Sequence, residues 1–206
     1  MSSPNSEIVL FHWPQSRSTS IRWMLEELGV PYRITIVDIT SGNHPSEVLR
    51  ALNPMGKVPV LTHGDLVISE VSAICCYLAD RFPKAGLAPA IDDPKRGPYL
   101  KWLFFAPGCI EPAVTQKAMK WPDGPRGTLG WASYDDTMQV LADGVVHATP
   151  WILGEQFTAA DVVIGSQVRW GLMFGTIPKH PALEAYASRL GQRPALKRQL
   201  ELDAAG

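Results

Sequence analysis

Asn53-Pro-Met-Gly-Lys-Val-Pro-Val-Leu61 and, a few residues on, Ile68-Ser69-Glu70-Val71-Ser72-Ala73-Ile74 decide how the rest of the chain is read. Asn53-Pro54 with Gly56 is a turn signal, and it feeds a short apolar run of strand type, Val58 to Leu61. Pro59 lies inside that run, where a central strand has no N–H to spare, so it belongs at a strand end. Only X–Pro bonds adopt cis at low cost, and a cis Val58–Pro59 bond is the expectation. Such a turn leaves the N–H and C=O of Val58 free to pair with a peptide-like ligand as an added strand. His63-Gly64-Asp65-Leu66 reads as a hairpin turn, and Glu70 opens an apolar helix. A carboxylate at a helix start, beside unpaired backbone N–H groups, suits a ligand that carries both an amine and a carboxylate.

Working outward to the N-terminus, Glu7-Ile-Val-Leu-Phe11 is β-prone and reads as the first strand. His12-Trp-Pro-Gln-Ser-Arg-Ser-Thr-Ser20 ends it with Pro14 and a cluster of small hydroxyls. Ile21, Trp23-Met24-Leu25 and Leu28 recur at helical spacing, with Gly29 and Pro31 as the stop, and Ser16 or Ser18 as N-cap. Tyr32 to Ile39 reads as a second strand and Pro45 to Leu52 as a short helix. The two strands around Pro59 and a helix from Glu70 to Phe82 complete the order β-α-β-α-β-β-α.

That order and these motifs carry a resemblance. Gly-Lys-Val-Pro-Val-Leu followed by Ser-Glu-Val-Ser-Ala-Ile is similar to the glutathione-binding half of the soluble (cytosolic) glutathione transferases. The resemblance implies an α/β thioredoxin-like N-terminal domain followed by an all-helical C-terminal one. It also implies glutathione as co-substrate, a detoxification role and a homodimer. The plain alternative is a buried hairpin-helix unit with an incidental proline. In this family the Ser or Cys that activates the thiol lies in the first loop, ten to twelve residues before the second Glu of Leu25-Glu26-Glu27. That window is Gln15 to Arg17, which makes Ser16 the first choice and Ser18 the reserve. The loop holds neither Cys nor Tyr. A hydroxyl at a helix N-terminus can donate to a thiolate, and the helix dipole favours the anion there. Capping alone accounts for at least one of the two serines.

The same resemblance assigns the other end of glutathione. Gly42-Asn43-His44 matches the Gly-Gln-His of theta-type transferases, where the His reaches the glycyl carboxylate, and Lys57 can neutralise the same group. Read without the resemblance, His44 is a loop histidine and Lys57 a solvated turn lysine. Val58, before Pro59, would pair with the cysteinyl backbone, and Glu70 with the residue-71 amide would hold the γ-glutamyl end. One departure stands out: the family has Ser after the acidic residue, and this chain has Val71. Ser72 is about 100° further round the helix and cannot replace it. The expectation is weaker glutathione binding, by the 0.5–1.5 kcal/mol or so of one neutral hydrogen bond.

The second half reads as helices. Residues 84–94, rich in Pro, Ala and Asp, form the linker between a domain at 1–83 and an all-helical one at 95–206. Tyr99 to Phe105 is helical, and Pro107-Gly108 and Pro112 then threaten a kink or break. Trp121 to Gly127 is a loop, and helices follow at about Trp131–His147, Thr158–Phe174, Pro181–Leu190 and Pro194–Leu202. Phe157-Thr158-Ala-Ala-Asp161-Val162 is a capping box with Asp in the Glu position, and it makes Asp161 structural. Most of the many aromatics read as core, with Phe105, Trp121 and Trp170 as candidate lining of an apolar second-substrate pocket between the domains.

The totals bound the partners. The chain has 206 residues, 46% of them hydrophobic and 19% charged, with a formal net charge of −1 and no basic run. That argues against nucleic acid or an anionic membrane as partner. The opening Met-Ser-Ser-Pro-Asn-Ser-Glu shows no charged-then-apolar signal, and the odd count of three cysteines, none in Cys-x-x-Cys spacing, fits a reducing cytoplasm without a disulfide scaffold or metal site. The expected reaction is addition of the glutathione thiolate to an apolar electrophilic small molecule. Isomerisation, dehalogenation and disulfide reduction share the activated thiol, although the Ser16 loop has no Cys for a mixed disulfide. A non-catalytic glutathione-binding or assembly module of the same fold is the rival from another class, supported by Val71.

Overall fold

The computed structural model describes residues 7–40 and 47–205. They form two compact units, one from the described part of Met1–Ala85 together with Pro194–Gly206, the other from Gly86–Arg193.

The first unit is built on a four-stranded sheet with the order β2-β1-β3-β4. The strands are β1 (Ile8–His12), β2 (Arg33–Ile36), β3 (Val60–His63) and β4 (Leu66–Ser69). β1 runs parallel to β2 and antiparallel to β3, and β3 and β4 form a hairpin. The helices are α1 (Ser18–Leu28), α2 (Glu47–Leu52) and α3 (Val71–Arg81), with α9 (Pro194–Ala204) packed on α1. This is the expected thioredoxin-like order. Alternation along β1 buries Ile8, Leu10 and His12 on one face. α1 buries Ile21, Trp23, Met24 and Leu25 and ends at Gly29, whose φ of 64° supplies the left-handed turn.

Two local expectations change. The apolar run 58–61 is not all strand: β3 starts at Val60, and Val58–Pro59, joined by a cis bond, precedes it. Neither Ser16 nor Ser18 is the N-cap of α1, because Arg17 holds that position with helical angles and no capping side chain, and Ser18 is the first helical residue.

The second unit is helical: α4 (Arg96–Phe105), α5 (Glu111–Met119), α6 (Tyr134–Val146), α7 (Ala159–Phe174) and α8 (Pro181–Gly191). Of the kink or break expected at Pro107-Gly108 and Pro112, no break occurs: the helix passes through a widened turn over Ala106–Ile110, in which the Glu111 N–H donates to the Ala106 carbonyl. Pro107 has no N–H to give to the preceding turn, and the i→i+5 pattern absorbs that loss without ending the helix. α5 therefore continues directly from this turn. At the start of α7, Thr158 and Asp161 form the expected box, with the Thr158 N–H donating to Asp161 Oδ2 at 2.9 Å. Asp161 Oδ1 also accepts from the Ile152 N–H and the Tyr186 hydroxyl, each at 2.8 Å. The Thr158 hydroxyl donates to Oδ2 as well, at 3.2 Å. Burial pushes this carboxyl up and outweighs the four donors, which pull it down.

Candidate active site

Sheet register brings the first unit's candidate residues to one edge. Phe11 pairs with Val60, and Val60 pairs with Ser69. The loop that follows β1, the Val58–Pro59 turn before β3 and Glu70 after β4 therefore leave the sheet side by side. Three segments far apart in sequence share one end because β3 runs opposite to both neighbours.

In the first of these, Ser16 is half-buried and Ser18 fully buried. Their hydroxyls lie 2.7 Å apart. The Ser16 hydroxyl also reaches the Trp13 carbonyl at 2.7 Å and accepts from the Ser18 N–H at 3.2 Å. Ser18 Oγ accepts from the Trp13 N–H at 3.1 Å and lies 2.7 Å from His12 Nδ1. His12, with no exposed surface, continues the chain through Nε2 to Asp203 Oδ1 at 3.1 Å. Arg22 holds that oxygen at 2.6 Å, and Gln199 donates to Oδ2 at 2.6 Å. Burial alone raises the Asp203 carboxyl, but His12 and Arg22 outweigh it and hold it below the usual carboxylate range.

The second segment is tied by Asn53, whose side chain donates to the Lys57 carbonyl at 2.9 Å and accepts from the Met55 N–H at 3.1 Å. Gly56 turns with a φ of 62°, and its N–H donates to the Asn53 carbonyl at 2.7 Å. Lys57 is exposed and Pro59 buried. Half-buried Val58 packs on the cluster of Val37, Leu49 and Val60. The third segment is Glu70, exposed, with φ 73° and ψ 123°. A non-glycine residue held in the left-handed half of the map costs on the order of 1–3 kcal/mol, and such positions concentrate at functional sites. The turn here puts Glu70 at the N-cap of α3, immediately before half-buried Val71, with no capping hydrogen bond from its side chain. His44, with Gly42 and Asn43, lies outside the described residues.

The three aromatic candidates of the second unit are not gathered into one cluster. Phe105 ends α4 with its ring 5.6 Å from Trp102. Trp121 is 57% exposed in the loop after α5, and Trp170 on α7 lies 5.4 Å from Phe174. Among the described residues no ring contact joins any two of the three. Nor do the described residues contain a group of three or more His, Cys, Asp or Glu side chains able to hold a metal ion. No described helix is long and apolar enough to cross a membrane.

Residues 16–81 match the family model described as the N-terminal domain of glutathione S-transferase. A crystal structure of a glutathione S-transferase from Actinobacillus pleuropneumoniae is 30% identical, covering 96% of this chain and 93% of that one with a TM-score of 0.79. The chain belongs to the glutathione S-transferase family. A sphingomonad glutathione S-transferase, solved as a complex with glutathione, is 27% identical, with a TM-score of 0.78 and 96% and 100% of the two chains covered. The disulfide-bond oxidoreductase YfcG of Escherichia coli is 27% identical over 203 residues, 91% of this chain and 92% of that protein.

Two residues hydrogen-bonded behind the candidate serines, His12 and Asp203, were not among the candidates read from the sequence. His12 sits at the junction of a strand and a hydroxyl-rich loop, a signal that was present but not used. Asp203 lies 191 positions away on α9, and its spacing from His12 encodes nothing a reader of the sequence could use.

Proposed function

We propose that this transferase binds glutathione at the sheet edge and adds its thiolate to an apolar electrophilic small molecule. The supporting observation is the register that sets the Ser16 loop, Val58 and Glu70 side by side. Ser16 donates to the sulfur: its hydroxyl is half-buried, whereas that of Ser18 is enclosed by His12, Trp13 and Ser16. The backbone of Val58 pairs with the cysteinyl unit, and Glu70 with the Val71 amide takes the γ-glutamyl end. Lys57 and His44 serve the glycyl carboxylate. Phe105, Trp121 and Trp170 supply apolar surface for the second substrate. The setting is cytoplasmic and the working form a homodimer.

A free thiol with a pKa near 8.5 is mostly protonated at neutral pH, so an environment that favours the anion raises the reactive fraction directly. A hydrogen bond to a charged group is worth roughly 1.5–3 kcal/mol. Ser16→Ala should therefore lower kcat/KM toward a generic aromatic electrophile by about 10- to 100-fold. The glutathione dissociation constant should stay within a few-fold, because the peptide's ends are gripped by other groups. An unchanged kcat/KM would refute the assignment.

Glutathione-dependent disulfide reduction is the second reading, favoured by the likeness to the E. coli oxidoreductase. The Ser16 loop offers no Cys for a mixed disulfide with the protein, so the mixed disulfide would form on glutathione itself, a second glutathione releasing the other thiol. Cys75 is enclosed and its thiol pushed well up by burial. Turnover of a small disulfide faster than of any electrophile would favour that reading.

A further inference from the structure

The hydrogen-bonded chain behind Ser16 ends on a base. Asp203, facing Arg22 and Gln199, is a pure acceptor when ionised, so the His12 nitrogen facing it, Nε2, carries a proton. In a neutral imidazole that leaves Nδ1 as the acceptor for the Ser18 hydroxyl, 2.7 Å away. Ser18 Oγ in turn can accept from Ser16, again at 2.7 Å. Both hydroxyls also reach the Trp13 carbonyl, at 2.7 and 3.1 Å, and turn from it to the chain by rotation about the Cβ–Oγ bond. Every link from Ser16 to the imidazole thus lies within transfer distance, and the carboxylate beyond it is placed to stabilise an imidazolium.

We propose that His12 receives the glutathione thiol proton through Ser16 and Ser18, with Asp203 holding the resulting imidazolium. The proposal rests on Ser16 as the group at the sulfur. The S–H bond breaks and its proton goes to Ser16 Oγ. Ser16's own proton passes to Ser18 Oγ, and that of Ser18 to His12 Nδ1. Both serines end neutral, with each O–H reversed: Ser16 now donates to the thiolate, Ser18 to Ser16, and His12 to Ser18. The net change is thiol plus imidazole to thiolate plus imidazolium, and no proton need enter the solvent. The reversed chain is also the one in which each donor polarises the next, so that the last O–H, at sulfur, is the strongest. His12 acts through the serines and is a positioning residue that also stores charge.

The surroundings of His12 suit that role. α9 contributes Asp203 and Gln199, and α1 contributes Arg22, whose charge is shared with Asp203. Behind Arg22, burial and Glu26 push the Tyr32 phenol up to about 12, so it stays neutral. The strand partner of His12, Ile36, is apolar, as are Val37, whose N–H donates to the His12 carbonyl, and Val60, opposite the neighbouring Phe11. α3, packed on α1, buries Ile74, Cys75 and Leu78, and burial keeps the Cys75 thiol protonated.

Proton counting tests the idea. Glutathione is bound near pH 7 in two buffers of different ionisation enthalpy, and the count for S-methylglutathione, which has no thiol proton, is subtracted. Thiolate formed is read from its ultraviolet absorbance in the same samples. The relay predicts close to zero protons released per thiolate in the wild type, about one in His12→Gln, and about one in Ser18→Ala. It also predicts a wild-type thiolate signal nearly flat with pH between the two coupled titrations, against a simple one-proton curve in either variant. About one proton released by the wild type overturns the relay, even if neither variant folds. If instead the wild type forms no thiolate, or Ser16→Ala forms as much, the Ser16 assignment falls and the relay with it. Thiolate that depends on Ser16 but releases its proton to solvent removes the relay alone.

Discussion

One buried carboxylate, Asp161, collects four donors: the Thr158 N–H and hydroxyl, the Ile152 N–H and the Tyr186 hydroxyl. Each donor stripped of its partner in a closed interior costs about 1–3 kcal/mol. Asp161→Ala should therefore lower unfolding stability by about 3 kcal/mol or more, read as a fall in the urea midpoint at unchanged slope. A loss under about 1 kcal/mol would show that water replaces the carboxylate at little cost. This residue's role was legible before any coordinates, because Thr-x-x-Asp ahead of an apolar run has one common physical use. Pro59 was legible for the same reason, since a proline inside a strand-like run has few places to go. The reach of Asp161 to Ile152 and Tyr186 was not legible, because partners outside the helix carry no spacing signal. Nor was His12 beyond its place at a strand end: a histidine's partners are set by what packs over it, here a helix from the far end of the chain.

At the scale of elements, α9 is fastened to α1 and β1 by one polar clamp, Asp203 with His12 and Arg22. Because the carboxyl is held below its usual range when folded, the unfolded chain binds its proton at higher pH than the folded one does. The stability this contributes is present above the unfolded value near 3.9 and is lost as pH falls through the lower, folded value. Melting temperatures of wild type and Asp203→Asn should differ most near neutral pH and converge as the pH drops below about 4. A gap that widens on acidification would contradict the clamp. The individual helices were readable from periodicity and stop signals, α1 through Gly29 and α7 through its box. α5 was not, since Pro107 and Pro112 read locally as breakers, and it takes the wide turn that contains Pro107, with Pro112 in the first turn of α5, to reconcile two prolines with continuous helix. The placement of α9 in the first unit depends on tertiary packing that has no local signature.

For the molecule as a whole, the inferred homodimer predicts that sedimentation at micromolar concentration gives a species of about twice 22.6 kDa, and a single 22.6 kDa species would contradict it. Conversion of glutathione into a thiolate at Ser16 on the sheet edge can be seen without following turnover. Ultraviolet absorbance of glutathione bound to the wild type and to Ser16→Ala, titrated across neutral pH, reads the thiolate itself rather than its consequences. The bound thiol should be mostly ionised near pH 7 in the wild type, and Ser16→Ala should lose about one to two pKa units of that shift with glutathione still bound. Wild-type protein that binds glutathione with no thiolate band at neutral pH would contradict the claim and favour a binding module over a conjugating enzyme.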